Sequence, residues 1–151
     1  MAQSLRELLE LSVATSPDRV IVKAAAKEVT WADLREGACR VASALVRDSV
    51  RPQERVVYIG KNDPRFFEVL FGCALAGAVL VPVNWRLAPD ELAAIVRDAD
   101  AKIAFVDPTA VTALDAGIGT VVALGDHDRW TPFRDWRGAA EDPGVVAEPS
   151  H

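Results

Sequence analysis

The chain has 151 residues, half of them apolar and 26% charged, with a formal net charge of −5. That length and mixture fold around a single core rather than remaining disordered, and the acidic balance offers no long-range attraction to nucleic acid or anionic lipid. Cys39 and Cys73 lie in apolar stretches without CxxC spacing or a neighbouring histidine, which argues against a disulfide framework or a zinc site and for buried reduced thiols.

The first residues, Met1 to Ser4, show no basic segment followed by an apolar one, so no secretory signal is expected and a cytoplasmic location follows. Ser4-Leu5-Arg6-Glu7 has the capping-box pattern of a helix start, and Leu5, Leu8, Leu9 and Val13 follow at helical spacing. Val20-Ile21-Val22 reads as a short strand. Thr30 caps a second helix with Asp33 in its first turn, and Leu34, Ala38, Val41, Ala42 and Leu45 form its inward stripe.

Arg55-Val56-Val57-Tyr58-Ile59 has a continuous apolar centre, which fits a strand covered on both faces and therefore a parallel sheet. Asp63-Pro64 reads as an N-cap followed by proline at the first helical position, with Phe66 to Leu75 continuing the helix and Gly77 ending it. Val79-Leu80-Val81 is the next strand, closed by Pro82. The apolar run from Val69 to Val83 is too short for a membrane span of about 20 residues and is broken by Gly72, Gly77 and Pro82.

Pro89-Asp90-Glu91 opens a helix with Leu92, Ile95 and Val96 inward, Ile103 to Val106 is a strand, Asp107-Pro108 starts a short weak helix, and Thr120 to Leu124 is a last strand. The strand–helix alternation predicts an α/β fold: a doubly wound, mostly parallel sheet flanked by helices. It occupies residues 1–125. Periodicity fails from Gly125, so 126–151 reads as loop or linker, with Trp130, Phe133 and Trp136 packing back on the domain.

Gly60-Lys61-Asn62 is no phosphate loop, because the upstream glycine and the following Ser or Thr are missing, and Gly117-Ile118-Gly119 opens no helix. His127 and His151 have no nucleophile or metal-ligand spacing beside them and read as exposed loop residues; no metal site is expected. Asn84-Trp85-Arg86-Leu87 leaves the carboxyl end of a strand, where open α/β sheets bind ligands, so Arg86 is either a phosphate contact or a structural or solvated charge.

Several stretches together resemble the AMP-forming acyl-CoA synthetase family, which includes luciferases and nonribosomal adenylation domains. They are Ser16 to Val20, Val29 to Glu36, Glu54-Arg55-Val56 with Asn62, Phe66 to Gly72, Ala76 to Val79, Val81 to Leu87, Glu91-Leu92 and Asp98 to Lys102. The resemblance runs in order over residues 3–107 and corresponds to that family's N-terminal subdomain, and Asn84-Trp85-Arg86-Leu87 with Gly60-Lys61-Asn62 looks most like bacterial fatty-acyl-CoA ligases. Gln53-Glu54 in place of Gly-Asp, and a glycine missing between Val22 and Val29, depart from the pattern at turns.

The resemblance implies a parent enzyme that joins a carboxylic acid, a fatty or related one, to coenzyme A with ATP and Mg²⁺, through an acyl-adenylate. It implies that the phosphate loop, the adenylate motif, the ribose-binding aspartate and the catalytic lysine would all lie past His151, with 141–151 as the linker before them. No catalytic residue is then expected in this chain, which alone would be inactive and bind none of these groups tightly. Arg86 is implied as a contact for coenzyme A phosphates, with Asn84 and Trp85 shaping the same corner. Expected partners are the acid, the rest of the parent polypeptide and, as a candidate assembly, a second copy, with no nucleic acid. An apolar seam is expected on a subdomain separated from its neighbour. The rival readings are a stand-alone binding or oligomerisation module of the same fold and a receiver domain; the latter lacks its acidic cluster, since Gly60-Lys61-Asn62 and Asn84 occupy the strand exits.

Overall fold

In a computed structural model of the chain, the described residues are 4–24, 27–61, 63–111, 114 and 117–138. Asn62, the tail at 139–151 and His151 with it lie outside the described residues. The elements are α1 (Leu5–Thr15), β1 (Val20–Ala24), β2 (Lys27–Thr30), α2 (Trp31–Arg47), β3 (Arg55–Ile59), α3 (Arg65–Ala76), β4 (Val79–Val83), α4 (Pro89–Ala99), β5 (Ile103–Val106), β6 (Thr120–Ala123), β7 (Thr131–Pro132) and α5 (Phe133–Gly138).

β1 and β2 form an antiparallel hairpin, while the other strands form a five-stranded, all-parallel sheet in the order β4-β3-β5-β6-β7. A parallel pair needs a crossover of a dozen or more residues, and α3 and α4 supply the first two. Because the chain moves outward from β3 to β4 and then back across to β5, crossovers of one hand put these helices on opposite faces. The core divides accordingly. Val56 and Tyr58 pack with residues of α1, α2, α3 and α5, whereas Val57 and Ile59 pack with Leu92, Ala93 and Val96 of α4. The doubly wound parallel fold read from the sequence is the observed one.

Burying a Val, Leu or Ile side chain stabilises the fold by roughly 1.5–3 kcal/mol, while an exposed ion pair contributes about 0–1 kcal/mol. All four residues from Val56 to Ile59 are at most 3% exposed. Strand burial, not surface charge, therefore fixes where the connecting loops emerge.

The helix starts follow the sequence closely. Thr30 and Asp33 form a reciprocal capping box, with the Asp33 N–H donating to Thr30 Oγ1 and the Thr30 N–H to Asp33 Oδ2, both at 3.1 Å. Ser4 Oγ accepts from the Glu7 N–H at 3.1 Å. α3 begins one residue later than expected, with Pro64 at the cap, because the Asp63 carboxylate takes the Arg65 N–H at 2.8 Å and also binds the Arg65 guanidinium. Gly77 ends α3 with φ of 78°, a left-handed conformation that glycine adopts without strain.

Other expectations change. β4 runs on through Pro82 to Val83, which the ladder tolerates because β4 is the edge strand and the proline lacks no needed partner on its open side. Asp107-Pro108 starts a turn rather than a helix, with Thr109 hydrogen-bonded back to Asp107. Of the apolar residues at helical spacing in α1, Leu9 is buried, whereas Leu5 and Leu8 are exposed.

The loop expected from 126 contains β7 and α5 over 131–138. Phe133 and Trp136 are buried there against Phe105, with ring centroids 6.1 and 5.1 Å away. α5 is tied down by Trp136 Nε1, which donates to Asp48 Oδ2 at 2.7 Å, and by Arg47, which donates to the Trp136 carbonyl at 3.2 Å. His127 is half-buried, not an exposed loop residue. Its Nδ1 accepts the N–H groups of Arg129 and Trp130, and its ring stacks on Trp130 at 4.0 Å. Both cysteines are free and buried, and burial pushes the Cys73 thiol up to about 12.

α2 and α3 cross at Gly72, where an added Cβ would stand 2.6 Å from Val41 Cβ and 3.1 Å from the Ala38 carbonyl oxygen. Alanine at an exposed helix position would be favoured over glycine by about 0.8–1 kcal/mol, but overpacking a tight core costs about 1–3 kcal/mol, so the clash wins. Gly72→Ala should thus lower stability by about 1–2 kcal/mol in urea denaturation; an increase would show that the helices can move apart freely.

Candidate functional site

Strand order β4-β3-β5 reverses direction at β3, and the carboxyl ends of β3 and β5 bound the crevice where open α/β sheets place ligands. Parallel register aligns Ile59 with Val83 on one side and with Val106 on the other. The loops that follow these three residues therefore meet at one edge.

Lys61, Asp107 and Thr109 form the centre of that edge. Thr109 donates to Asp107 Oδ1 from both its N–H, at 2.9 Å, and its hydroxyl, at 2.7 Å. The Lys61 N–H donates to Asp107 Oδ2 at 3.4 Å, and Lys61 Nζ reaches Thr109 Oγ1 at 3.5 Å. Gly60 permits this approach, since a Cβ there would lie 3.0 Å from Asp107 Cβ and 3.3 Å from the Tyr58 ring. Burial works against charge on Asp107, but the bonds from Thr109 and Lys61 overcome it and hold the carboxyl below its ordinary value.

The turn after β4 supplies the other wall. Asn84 Oδ1 accepts the Arg86 N–H at 3.0 Å and the Asn84 carbonyl accepts the Leu87 N–H at 3.2 Å, so Asn84 shapes the turn that presents Trp85 and Arg86. The Arg86 guanidinium lies 4.8 Å from the Trp85 ring centroid, and Lys61 Nζ lies 5.2 Å from the same ring. Two cations thus share one half-buried indole, an arrangement that holds them at the sheet edge without neutralising either. Arg86 is exposed and makes no ion pair among the described residues.

Asn84, Trp85 and Arg86, singled out by their place at a strand exit, come together as one turn. Lys61, Asp107 and Thr109 were missed as a group. Asp-Pro-Thr directly after an apolar strand was the available signal, but which strands are neighbours is not written in a hydrophobic pattern. Among the described residues no group of three or more His, Cys, Asp or Glu side chains is placed to hold a metal ion, and no helix is long and apolar enough to cross a membrane.

Comparison with known proteins gives the family of the chain. The family profile described as AMP-binding enzyme matches residues 9–149. A fatty acid–acyl-carrier-protein ligase, ScoC, from Streptomyces coeruleorubidus is 32% identical over 93% of this chain and 27% of its own length. A feruloyl-CoA synthase from an Amycolatopsis species is 38% identical over 75% of this chain and 24% of its own. The chain therefore spans about a quarter of the length of these curated relatives. Among solved structures, a putative long-chain-fatty-acid CoA ligase from Rhodopseudomonas palustris superposes with a TM-score of 0.83 at 28% identity, covering 98% of this chain and 38% of that one. The anthranilate CoA ligase AuaEII, solved with anthranoyl-AMP, shares the fold with a TM-score of 0.87 at 22% identity, over 98% of this chain and 30% of its own.

The depressed Asp107 carboxyl gives a signed prediction. A group whose folded value lies below its unfolded value stabilises the fold above the unfolded value and loses that contribution as pH falls through the folded one. The stability gap between the wild type and Asp107→Asn should be full near about pH 6 and narrow below about pH 4. Urea titrations across that range measure it, and a gap independent of pH would contradict the assignment.

Proposed function

The chain belongs to the AMP-binding enzyme family, and from that premise we propose that it is the N-terminal α/β part of an acid–thiol ligase acting on a fatty or related carboxylic acid. The observation that carries this reading is the family match over residues 9–149 together with ligases of acids to thiols among its relatives. In the proposed reaction the carboxylate attacks the α-phosphate of ATP, releasing pyrophosphate, and the coenzyme A thiolate then displaces AMP to give the thioester.

Within this chain the proposed role falls to the sheet edge. Arg86 holds a phosphate of coenzyme A with its planar fork, which suits two phosphate oxygens at once. Trp85 fixes the guanidinium by stacking, and Asn84 sets the turn. Lys61 adds a second positive charge on the same ring. The free guanidinium fits an anionic partner, whereas the residues described here form no cage for Mg²⁺, whose chemistry is to offset phosphate charge. The chain on its own is proposed to be inactive, and the whole protein to be cytoplasmic and able to pair with a second copy. Leu5, Leu8 and Leu11, exposed on α1, support an association surface.

The ligase reading is tested by carboxylate-dependent ATP–pyrophosphate exchange with the polypeptide translated from the whole reading frame. Exchange is expected with a fatty acid; a preference for aryl acids such as ferulate would revise the substrate class, and no exchange with any acid would overturn the proposal. For Arg86, substitution by alanine should weaken coenzyme A binding roughly tenfold, as expected for losing a charge-assisted hydrogen bond, while leaving the exchange half-reaction unchanged. Equal coenzyme A affinities would remove Arg86 from the site.

A further inference from the structure

Asp107 and Thr109 stand beside the two cations of the sheet edge, and the hydrogen bonds there run in one direction. The Thr109 hydroxyl gives its proton to Asp107 Oδ1 at 2.7 Å, which leaves its oxygen as an acceptor for Lys61 Nζ, 3.5 Å away. The backbone closes the same group, with the Thr109 N–H donating to Asp107 Oδ1 at 2.9 Å and the Lys61 N–H to Asp107 Oδ2 at 3.4 Å. The carboxylate thus serves three donors, and the ammonium is not one of them.

A local turn at the exit of β5 explains only part of this. Such a turn needs the two bonds from Thr109 to Asp107. It does not need Lys61, which comes from the neighbouring strand 48 residues away in sequence and enters because Gly60 has no Cβ to meet Asp107. Lys61 is exposed, and a lysine on a flexible four-carbon stem ordinarily loses rotamer freedom when a ligand captures it. Here Thr109 and the Trp85 ring, 5.2 Å from Nζ, hold the ammonium before any ligand arrives, at the ring that also carries Arg86.

We propose that Asp107 and Thr109 are positioning residues for the phosphates of coenzyme A. Asp107 orients the Thr109 hydroxyl, the hydroxyl holds the Lys61 ammonium beside Trp85, and Lys61 then grips the ligand together with Arg86. Because Asp107 spends its oxygens on uncharged donors, it sets the direction of Lys61 without neutralising it. This inference rests on the reading of the edge as a coenzyme A contact.

Calorimetric titration of coenzyme A into the polypeptide translated from the whole reading frame tests it through a double-mutant cycle. Lys61→Gln should weaken binding about three- to fivefold, the size of an exposed charge contact. Thr109→Val, an exposed and nearly isosteric change, should weaken it about two- to fivefold, Thr109→Ser should restore the wild-type affinity, and Thr109→Val should add nothing once Lys61 is Gln. Asp107→Ala should also weaken binding, whereas a carboxylate that merely repels phosphate would give tighter binding on removal. The proposal is overturned if Lys61→Gln or Thr109→Val leaves the affinity unchanged, if the loss from Thr109→Val persists in the Lys61→Gln background, or if Asp107→Ala tightens binding. Arg86→Ala separates the two levels. If it weakens binding while Lys61→Gln does not, this proposal alone fails; if it too is without effect, the coenzyme A reading of the edge fails and this proposal falls with it.

Discussion

Burial of β3 on both faces is the constraint from which the rest of the structure follows. Val56 and Tyr58 face one core cluster while Val57 and Ile59 face the other, so helices must cover both sides of the sheet. Parallel neighbours then require long crossovers, and crossovers of one hand send α3 and α4 to opposite faces. With β3 paired in register to both β4 and β5, the three loops leaving these strands have a single edge on which to meet. The position of Lys61, of the Asn84–Arg86 turn and of Asp107 is a consequence of packing several residues away.

That edge carries charge in an unusual way. Asp107 is satisfied by Thr109 and by the Lys61 backbone, whereas Arg86 and the Lys61 ammonium are gathered by the Trp85 ring. A carboxylate partner would position the cations equally well but would neutralise them. The indole positions them and leaves their charge available for an anionic ligand. This is the physical basis for reading the turn as a phosphate contact rather than a structural ion pair.

Much of the fold was legible because local and global signals agree. The Thr30–Asp33 capping box, the apolar centre of β3 and the glycine stop at Gly77 each appear as the residues predict. The misses have a common cause in tertiary context. Pro82 stays within β4 because that strand lies at an edge, and α5 is held where Phe133 and Trp136 find Phe105 and Asp48 far away in sequence. For the candidate site, the Asn84–Arg86 turn was readable from one strand exit, while the Lys61–Asp107–Thr109 group needed the order of strands in the sheet.

The central proposal is that the edge set by β3 faces the phosphates of coenzyme A. A crystal structure of the whole polypeptide with coenzyme A measures this most directly. The account predicts a coenzyme A phosphate within hydrogen-bond distance of the Arg86 guanidinium, with that group still stacked on Trp85. Coenzyme A bound elsewhere, with Arg86 in solvent, would contradict it.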